Sequence, residues 1–188
     1  MSRFNSTTPE TELVAAAQNG GGQAFAELVT RHKRLALSLA ARFAPSRSEI
    51  DDLGQEIFLK AYRELPGFRG ESSFATWLRT VAVSCCLDYL RKAKRSPAAG
   101  GLELPLELPD TSKISAFEAA DIRDSLNRAM AKLSPADRLV ITLLELEGES
   151  VETVAQVANM SKIGVRVRAH RARGKLRTLL EDVYGAKS

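Results

Sequence analysis

Aromatic residues and long apolar runs are scarce in this sequence of 188 residues. Phenylalanine, tyrosine and tryptophan make up only 6% of the chain, although 44% of its residues are hydrophobic. That balance provides enough apolar side chains for a core and favours small helical domains over β-sheets. No segment approaches the roughly 20 apolar residues that a membrane-spanning helix requires. The N-terminal stretch MSRFNSTTPETEL has no apolar core of the kind found in secretory signals, so we expect a cytoplasmic protein.

Cysteine and histidine are equally rare, which argues against a disulfide, a metal site or a cofactor. The two cysteines, Cys85 and Cys86, are neighbours, and on a helix they point about 100° apart, outside disulfide geometry. His32 and His170 lie far away without metal-ligand spacing. We therefore expect two buried or half-buried thiols in a reducing compartment. With no nucleophile–base pair and no phosphate-cradling loop either, we do not expect an enzyme.

Charge is abundant and unevenly placed. Residues 1–95 and 151–188 are net basic, whereas residues 96–150 are net acidic. The stretch Ser161–Arg177, SKIGVRVRAHRARGKLR, has the densest run of lysine and arginine. Such a run is costly through self-repulsion unless solvent dilutes it or a polyanion lies against it. Two basic ends around an acidic middle favour two surfaces for a polyanion, without specifying which one.

Helical periodicity and capping signals divide the N-terminal half into four helices. The first is predicted to open at Thr8-Pro9, with Thr8 as its cap, and to end at Gln18 before a run of glycines. Ser48 is predicted to cap the third helix, whose first turn is acidic. The four predicted spans are residues 9–18, 23–43, 49–65 and 74–94.

A proline-rich stretch separates these helices from a second helical unit. Residues 96–114, SPAAGGLELPLELPDTSKI, have no helical period and are predicted to be a linker. The second unit starts with a helix over residues 115–133. Further helices are predicted from the caps Ser134, Ser150 and Ser161, and no strand is needed anywhere.

The last two helices have the pattern of a helix-turn-helix, in which a second, basic helix lies in the DNA major groove. The final helix has an apolar stripe on one side and a polar, basic side opposite it. The stripe consists of Val165, Ala169, Ala172, Leu176 and Leu179. The opposite side consists of Arg166, Val167, His170, Arg171 and Gly174. A solvated basic helix in an ordinary bundle would explain the charge but not its restriction to one face.

Two segments, taken together, resemble extracytoplasmic-function (ECF) sigma factors of bacterial RNA polymerase, members of the sigma-70 family. The first is SEIDDLGQEIFLKAYRELPGFRGESSFATWLRTVAVSCCLDYLRKAKR, and the second is LSPADRLVITLLELEGESVETVAQVANMSKIGVRVRAHRAR. With the N-terminal helices, the resemblance extends over roughly residues 10–182. It implies two all-helical domains, sigma-2 over residues 1–95 and sigma-4 over residues 115–188, joined by a flexible linker over residues 96–114.

The resemblance also implies a division of the surface among several partners. The helix DDLGQEIF would bind the β′ clamp helices of core polymerase through Asp52, Gln55, Glu56 and Leu59. The sigma-2 domain would capture a flipped base of the promoter −10 element and hold the nearby strand through Phe68, Arg69, Ser72, Ser73, Arg79, Ser84, Arg91, Lys92, Lys94 and Arg95. The final helix would bind the −35 element through Ser161, Lys162, Arg166, Val167, His170, Arg171 and Arg173. Further expected partners are the β flap and an anti-sigma factor, often membrane-anchored in this family.

Some residues depart from the family pattern or have a structural explanation. Trp77, the only tryptophan, has the spacing of a core residue rather than a base-stacking one. Val83-Ser84 replaces a common Arg-Asn pair, so contacts to the melted strand are expected to be weaker or relocated. Ile163-Gly164 replaces a common Gly-Thr, and Val167 a common serine, which leaves the base preference open.

A stand-alone helix-turn-helix regulator is the alternative from another class. It accounts for residues 134–180 but gives the DDLGQEIF helix and the loop before Trp77 no role. Such a regulator usually dimerises to match a palindromic site, whereas a free sigma factor is expected to be monomeric.

Overall fold

The computed structural model describes residues 4–5, 7–95 and 116–185, with side chains at the C-terminal end described for residues 120–181. These residues form helices and connecting turns and contain no strand, which confirms the predicted all-α class. The helices are α1 (Glu10–Gln18), α2 (Gly22–Ala41), α3 (Arg47–Glu64), α4 (Phe74–Arg95), α5 (Ala116–Ala131), α6 (Pro135–Ile141), α7 (Val151–Val157) and α8 (Lys162–Gly185). A single π-helical segment, Thr142–Leu146, extends α6. The predicted linker, residues 96–114, lies outside the described residues.

Serine side chains begin three of the C-terminal helices as predicted. The hydroxyls of Ser134, Ser150 and Ser161 accept backbone N–H hydrogen bonds from Asp137, Thr153 and Gly164 at 3.0–3.1 Å. These bonds satisfy amide groups that the first helical turn leaves without a partner.

Two N-terminal caps differ from the prediction. Ser46, and not Ser48, caps α3, because the Ser46 hydroxyl accepts the N–H of Glu49 at 3.2 Å. At α1 the Thr8 hydroxyl oxygen accepts from the Asn5 N–H at 3.2 Å, in a turn that precedes the helix. The predicted cap Thr8 is therefore engaged elsewhere, and α1 begins without a side-chain cap.

The N-terminal core lies between α2, α3 and α4, with α1 packed on α2. Gly54 permits a close approach of α3 to α2, since a Cβ atom at this position would lie only 2.6 Å from Leu37 Cδ2. Cys85 and Cys86 are buried free thiols, as predicted. Desolvation raises the pKa of Cys85 to about 11 and that of Cys86 well above its ordinary value.

The N-terminal helices and the C-terminal helices share one apolar core. Helix α4 packs against α6 and α7, and the buried cluster continues from Leu78 and Leu90 to Leu139 and Val154. Two ion pairs reinforce this contact, Arg42–Glu147 at 2.5 Å and Arg79–Glu149. The division into two domains at residues 96–114 therefore remains a prediction, because the two helical groups are in extensive contact.

Candidate polymerase and nucleic-acid interfaces

The outer face of α3 presents the residues predicted to bind polymerase. Asp52, Gln55 and Leu59 are exposed, and they lie three or four residues apart, which places them on neighbouring turns. Glu56 is partly buried and lies 3.4 Å from Lys92 Nζ on α4. All four predicted residues are thus accessible to a partner, although the Glu56 carboxylate forms an ion pair with Lys92, a residue that was predicted to bind DNA.

An apolar groove runs beside this face, between α2 and α3. It has a volume of about 730 Å³, and its walls include Phe25, Phe58, Leu59 and Tyr62. Leu59 and Tyr62 are 58% and 45% exposed, although large apolar side chains are usually buried. The ring of Phe25 packs on that of Tyr62 with centroids 4.9 Å apart. An apolar groove with acidic and amide neighbours is suited to bind a helix of another protein.

The loop between α3 and α4 forms one wall of a second cavity. This cavity measures about 460 Å³ and brings together all four loop residues predicted to capture a base: Phe68, Arg69, Ser72 and Ser73. Helix α1 supplies the opposite wall, with Glu10, Thr11, Val14, Ala15 and Gln18. Sequence reasoning did not include α1 in this site. No local signal in α1 indicates this contact, because the loop lies about 50 residues further along the chain.

Individual side chains of this cavity have distinct structural tasks. The Ser73 hydroxyl accepts the Thr76 N–H at 3.1 Å and so caps α4, leaving Ser72 as the freer hydroxyl. Gln18 Nε2 donates to the carbonyl oxygens of Leu65 and Phe68 at 3.1 and 2.8 Å. Gly70 has a φ of 73°, a conformation that glycine adopts without strain. Hydrogen bonds therefore fix the loop at its start, through Leu65 and Phe68, and at its end, through Ser73.

Trp77 packs within an aromatic cluster behind the loop. Its ring centroid lies 5.1 Å from Phe68 and 5.5 Å from Phe74, and the indole is half-buried. His32 lies 5.0 Å from Phe74 on the other side and pairs with Glu10 at 2.7 Å. These contacts fit the predicted core role of Trp77, and they make Phe68 the ring that connects the core to the cavity.

The basic residues of α4 differ in whether they already form ion pairs or hydrogen bonds within the protein. Arg79 forms an ion pair with Glu149, and Lys94 Nζ donates to the Leu133 carbonyl oxygen at 3.3 Å. Lys92 faces Glu56, as described above.

The two arginines at the end of α4 remain largely open to solvent. Arg91 pairs with Asp88 of its own helix at 2.9 Å, and Arg95 Nε donates to the Arg91 carbonyl oxygen. Both side chains are exposed. Arg79 has to leave Glu149 before it binds DNA, whereas the exposed side chains of Lys94, Arg91 and Arg95 are accessible as they stand.

The departure at Val83-Ser84 has a structural consequence. Val83 is buried in the core, and the Ser84 hydroxyl accepts a hydrogen bond from Lys60 Nζ at 2.8 Å. Val83 offers no polar group to a melted strand, whereas the partly exposed Ser84 hydroxyl keeps its own hydrogen to donate. Polar contacts to that strand are therefore available from Ser84, from the loop and from the exposed arginines of α4.

The C-terminal helices α7 and α8 are joined by the tight turn predicted for a helix-turn-helix. Asn159 adopts a φ of 50° in this turn, a conformation that asparagine tolerates better than most residues. Val165, Ala169 and Ala172 of α8 are buried, whereas Leu176 and Leu179 are only partly buried. The predicted stripe is therefore the packed face in the first three turns of α8 and is less covered further along.

The opposite face of α8 is open and basic. Arg166, Val167, His170 and Arg171 are exposed. Lys162 lies 3.0 Å from Glu152 on α7, and this ammonium group lowers the pKa of the Glu152 carboxyl. Arg173 pairs with Glu145 at 2.5 Å, so its charge is partly neutralised. Arg166 and Arg171 thus leave open charge in the first half of the helix, where a groove-reading helix contacts bases, and Lys175 and Arg177 are exposed further along.

Arg168 was not singled out from the sequence, although it fixes the position of α8. Its Nη1 atom lies 3.1 Å from Asp137 Oδ1, and the Asp137 carboxylate is nearly buried in the first turn of α6. Helix α6 also packs against the apolar face of α8. The Arg168–Asp137 ion pair is therefore a second, polar contact that holds α8 on α6. In the sequence, Arg168 was indistinguishable from its basic neighbours.

Within residues 4–5, 7–95 and 116–185 no helix is long and apolar enough to cross a membrane. The same part of the chain contains no group of three or more histidine, cysteine, aspartate or glutamate side chains placed to hold a metal ion. Its candidate sites are therefore the groove, the cavity and the basic faces described above.

Comparisons with known proteins match the N-terminal and the C-terminal helices to two different family models. The family model for sigma-70 region 2 matches residues 28–96, and that for sigma-70 region 4 matches residues 123–176. The ECF RNA polymerase sigma-E factor of Escherichia coli strain K12 is 34% identical over 174 residues, which covers 86% of this chain and 88% of that protein. Every residue predicted to bind polymerase or DNA falls within the two matched regions.

Two solved structures have a similar fold. CnrH in complex with the cytosolic domain of CnrY matches with a TM-score of 0.58 and 28% identity, covering 92% of this chain and 97% of CnrH. The sigma factor RpoE of Bartonella quintana, in complex with the anti-sigma factor NepR, matches with a TM-score of 0.55, covering 84% of this chain and 96% of RpoE. Its identity is 21%, so this second likeness concerns the fold alone.

Proposed function

The chain belongs to the ECF group of RNA polymerase sigma factors, and from this membership we propose how its individual surfaces carry out promoter-specific initiation. As a sigma factor it is a transcription initiation factor and not an enzyme; it binds core RNA polymerase and promoter DNA. A stand-alone regulator is not favoured, because the sigma-70 region 2 match includes the helix and loop for which that alternative has no role.

The polymerase surface is the exposed face of α3 together with the apolar groove. Asp52 and Gln55 provide a charged and an amide group, and Leu59 provides apolar area that is 58% exposed. This exposure supports the assignment, since an exposed leucine beside a groove gains stabilisation only from a partner. We assign the β′ clamp helices as that partner. Glu56 contributes once Lys92 moves away to a phosphate.

The −10 surface is the cavity between α1 and the loop at Phe68–Ser73. Extruding a base from the duplex costs a few kcal/mol of lost base stacking and base pairing. New stacking and hydrogen bonds inside a protein pocket offset this cost. The Phe68 ring offers stacking, Ser72 a hydroxyl and Arg69 a charge for the adjoining phosphate. Arg91 and Arg95 then guide the backbone along α4.

The −35 surface is the open face of α8. Arg166, His170 and Arg171 lie near enough to the start of the helix to reach base edges, and Ser161 and Lys162 lie at its N-terminal end, where phosphates bind favourably. Arg173 is engaged with Glu145 and takes a weaker part. The β flap is assigned to the C-terminal helical group without a residue-level site.

Two helical domains, over residues 1–95 and 115–188, would carry these surfaces in the cytoplasm. The −10 and −35 elements lie on separate stretches of promoter DNA, so the contact of α4 with α6 and α7 has to open when both are bound. A regulator that keeps the domains together would inhibit the protein. CnrH, the similar structure, is bound by the cytosolic domain of another protein. We assign an anti-sigma factor the same role here.

Transcription in vitro with purified bacterial core polymerase and genomic DNA fragments tests this function. Initiation from defined start sites, dependent on the chain and absent with core polymerase alone, is the expected result. The transcripts would identify the promoters at the same time. Core polymerase that gives the same transcripts with and without the chain would contradict the proposal.

A further inference from the structure

Helix α8 carries two large apolar side chains on its outer surface. Ile163 is 73% exposed and Val167 is 50% exposed, and neither belongs to a buried cluster. Among the described residues only Leu59 and Tyr62, in the groove between α2 and α3, are comparably exposed large apolar residues. Because Ile163 and Val167 are one helical turn apart, they lie on the same face of α8.

The fold gains little from these two residues. Isoleucine and valine are poorer helix formers than alanine, because their branched side chains lose χ1 freedom in a helix. At their high exposure they also bury little apolar area. Their presence is therefore better explained by a partner than by folding.

Their neighbours identify the chemistry of that partner. Arg166, His170 and Arg171 are exposed on the same side of α8 and give it a basic character. A partner that matches this face must combine negative charge with small apolar groups. The DNA major groove has this combination, since phosphates line it and thymine exposes a C5-methyl group inside it.

We propose that Ile163 and Val167 contact thymine methyl groups in the −35 element and so determine part of its base preference. The proposal rests on the proposed function, in which α8 lies in the major groove. Four residues of helix span about 6 Å, and stacked base pairs are about 3.4 Å apart. The two methyl groups contacted should therefore lie about two base-pair steps apart.

The stiffness of the two side chains favours such contacts. A branched side chain has few χ1 rotamers to lose when it is immobilised against DNA. Burying one methyl group is expected to raise affinity about fourfold. Two such contacts would change the preferred site noticeably without dominating total affinity, which the surrounding cations provide.

Deoxyuridine substitution tests the proposal, because deoxyuridine lacks only the methyl group of thymine. The DNA is a set of promoter duplexes taken from the start sites that the holoenzyme uses, with each thymine of the −35 element replaced in turn. Holoenzyme with the wild-type chain should bind about fourfold more weakly at each of two positions. Holoenzyme with Ile163→Ala and Val167→Ala together should bind the thymine duplex more weakly and show no further loss with deoxyuridine.

Two further variants sharpen the result. Val167→Thr keeps the shape of valine but replaces one methyl group by a hydroxyl, so it should reduce the deoxyuridine effect at one position only. Arg177→Ala should weaken binding yet keep both deoxyuridine effects. Circular dichroism and thermal melting of each chain show that it folds.

Failure of this inference is distinguishable from failure of the proposed function. Specific initiation with no deoxyuridine effect, or with an effect that the double alanine variant retains, would overturn the thymine assignment alone. That result would point to a protein partner covering Ile163 and Val167. Absence of specific initiation with the wild-type chain would overturn both.

Discussion

The side-chain amide of Gln18 donates a hydrogen bond to the Phe68 carbonyl oxygen at 2.8 Å and thereby ties α1 to the loop before α4. The same nitrogen also donates to the Leu65 carbonyl oxygen at 3.1 Å. Both amide hydrogens of Gln18 are thus committed to the loop, and only its carbonyl oxygen remains for a ligand. Since the Phe68 ring also packs on Trp77, Phe68 is fixed both through its backbone carbonyl and through its side chain.

Gln18→Met should impair promoter melting more than polymerase binding. Methionine has nearly the same length but no donor, so the loop loses two hydrogen bonds worth about 1 kcal/mol each. Affinity for core polymerase, measured by fluorescence anisotropy, should stay unchanged. Open-complex formation, measured with a fluorescent base in the −10 region, should fall several-fold.

A neighbouring variant serves as the control. Asn19, the residue after α1, donates a side-chain hydrogen bond to the Ala15 carbonyl oxygen and none to the loop, so Asn19→Ala should leave melting unaffected. Equal defects in the two variants would mean that Gln18 merely stabilises α1. Gln18 would then have only a structural role, and its hydrogen bonds to the loop would not be needed for promoter melting.

The α3 face provides a second prediction. Asp52→Lys combined with Glu56→Lys should lower affinity for core polymerase about tenfold or more, because like charges across an interface are strongly unfavourable. Circular dichroism should show an intact helical fold, since Asp52 is exposed and Glu56 is only partly buried. Leu59→Ala should reduce affinity through lost apolar contact.

Glu12→Lys with Asp124→Lys is the matched control for that experiment. Both residues are exposed and lie away from the α3 face, so the same change in net charge should leave affinity nearly unchanged. If the control variant binds polymerase as weakly as the α3 variant, net charge and not the α3 face governs the interaction.

Much of this architecture is predictable from local signals in the sequence. Serine caps before Pro135, Val151 and Lys162 begin the C-terminal helices where expected, because a cap satisfies its own helix without help from distant residues. The choice between Ser46 and Ser48 was not predictable, since both precede an acidic first turn. The helix takes the serine that leaves Glu49 at the third helical position.

Contacts between distant segments could not be predicted. The ion pairs Arg42–Glu147 and Arg79–Glu149 join residues far apart in the chain, and nothing in their local sequence indicates a partner. The same holds for Gln18, whose role depends on a loop about 50 residues away. Periodicity identifies which face of a helix is apolar, but it does not identify what that face packs against.

Limited proteolysis provides a third prediction. Cleavage should occur first between residues 96 and 115, because the proline-rich and acidic sequence there is predicted to be a linker. The two fragments should nevertheless migrate together in size-exclusion chromatography, since α4 packs against α6 and α7. Glu147→Arg with Glu149→Arg should separate them by placing like charges opposite Arg42 and Arg79. First cleavage inside either helical group would contradict the domain assignment.

The buried thiols predict a pH dependence of stability. Burial raises the pKa of Cys85 to about 11 and that of Cys86 well above its ordinary value, whereas both ionise near their ordinary values in the unfolded chain. As pH rises above about 9 the unfolded chain loses these protons first, so the free energy of unfolding should fall. Urea denaturation between pH 7 and 11 measures this. Cys85→Ala with Cys86→Ala should flatten the decline relative to wild type, and parallel curves would contradict the assignment.

Arginines along α8 should differ in what they control. Arg171 is exposed near the middle of the helix, where side chains reach base edges, whereas Arg177 lies further along, where phosphates are nearer. Arg171→Ala should cost about 1–3 kcal/mol on the preferred −35 duplex and relax its base preference. Arg177→Ala should weaken all duplexes alike and reduce the salt dependence by about one phosphate contact.

Measurement of both variants on matched and scrambled −35 duplexes at several salt concentrations separates the two roles. Arg173→Ala is an informative third variant, because its guanidinium already pairs with Glu145 and should contribute less than either neighbour. Glu145→Gln should then release Arg173 and strengthen binding to every duplex without changing base preference. If Arg171→Ala and Arg177→Ala lose affinity equally on every sequence, α8 binds DNA through charge alone and does not read bases through Arg171.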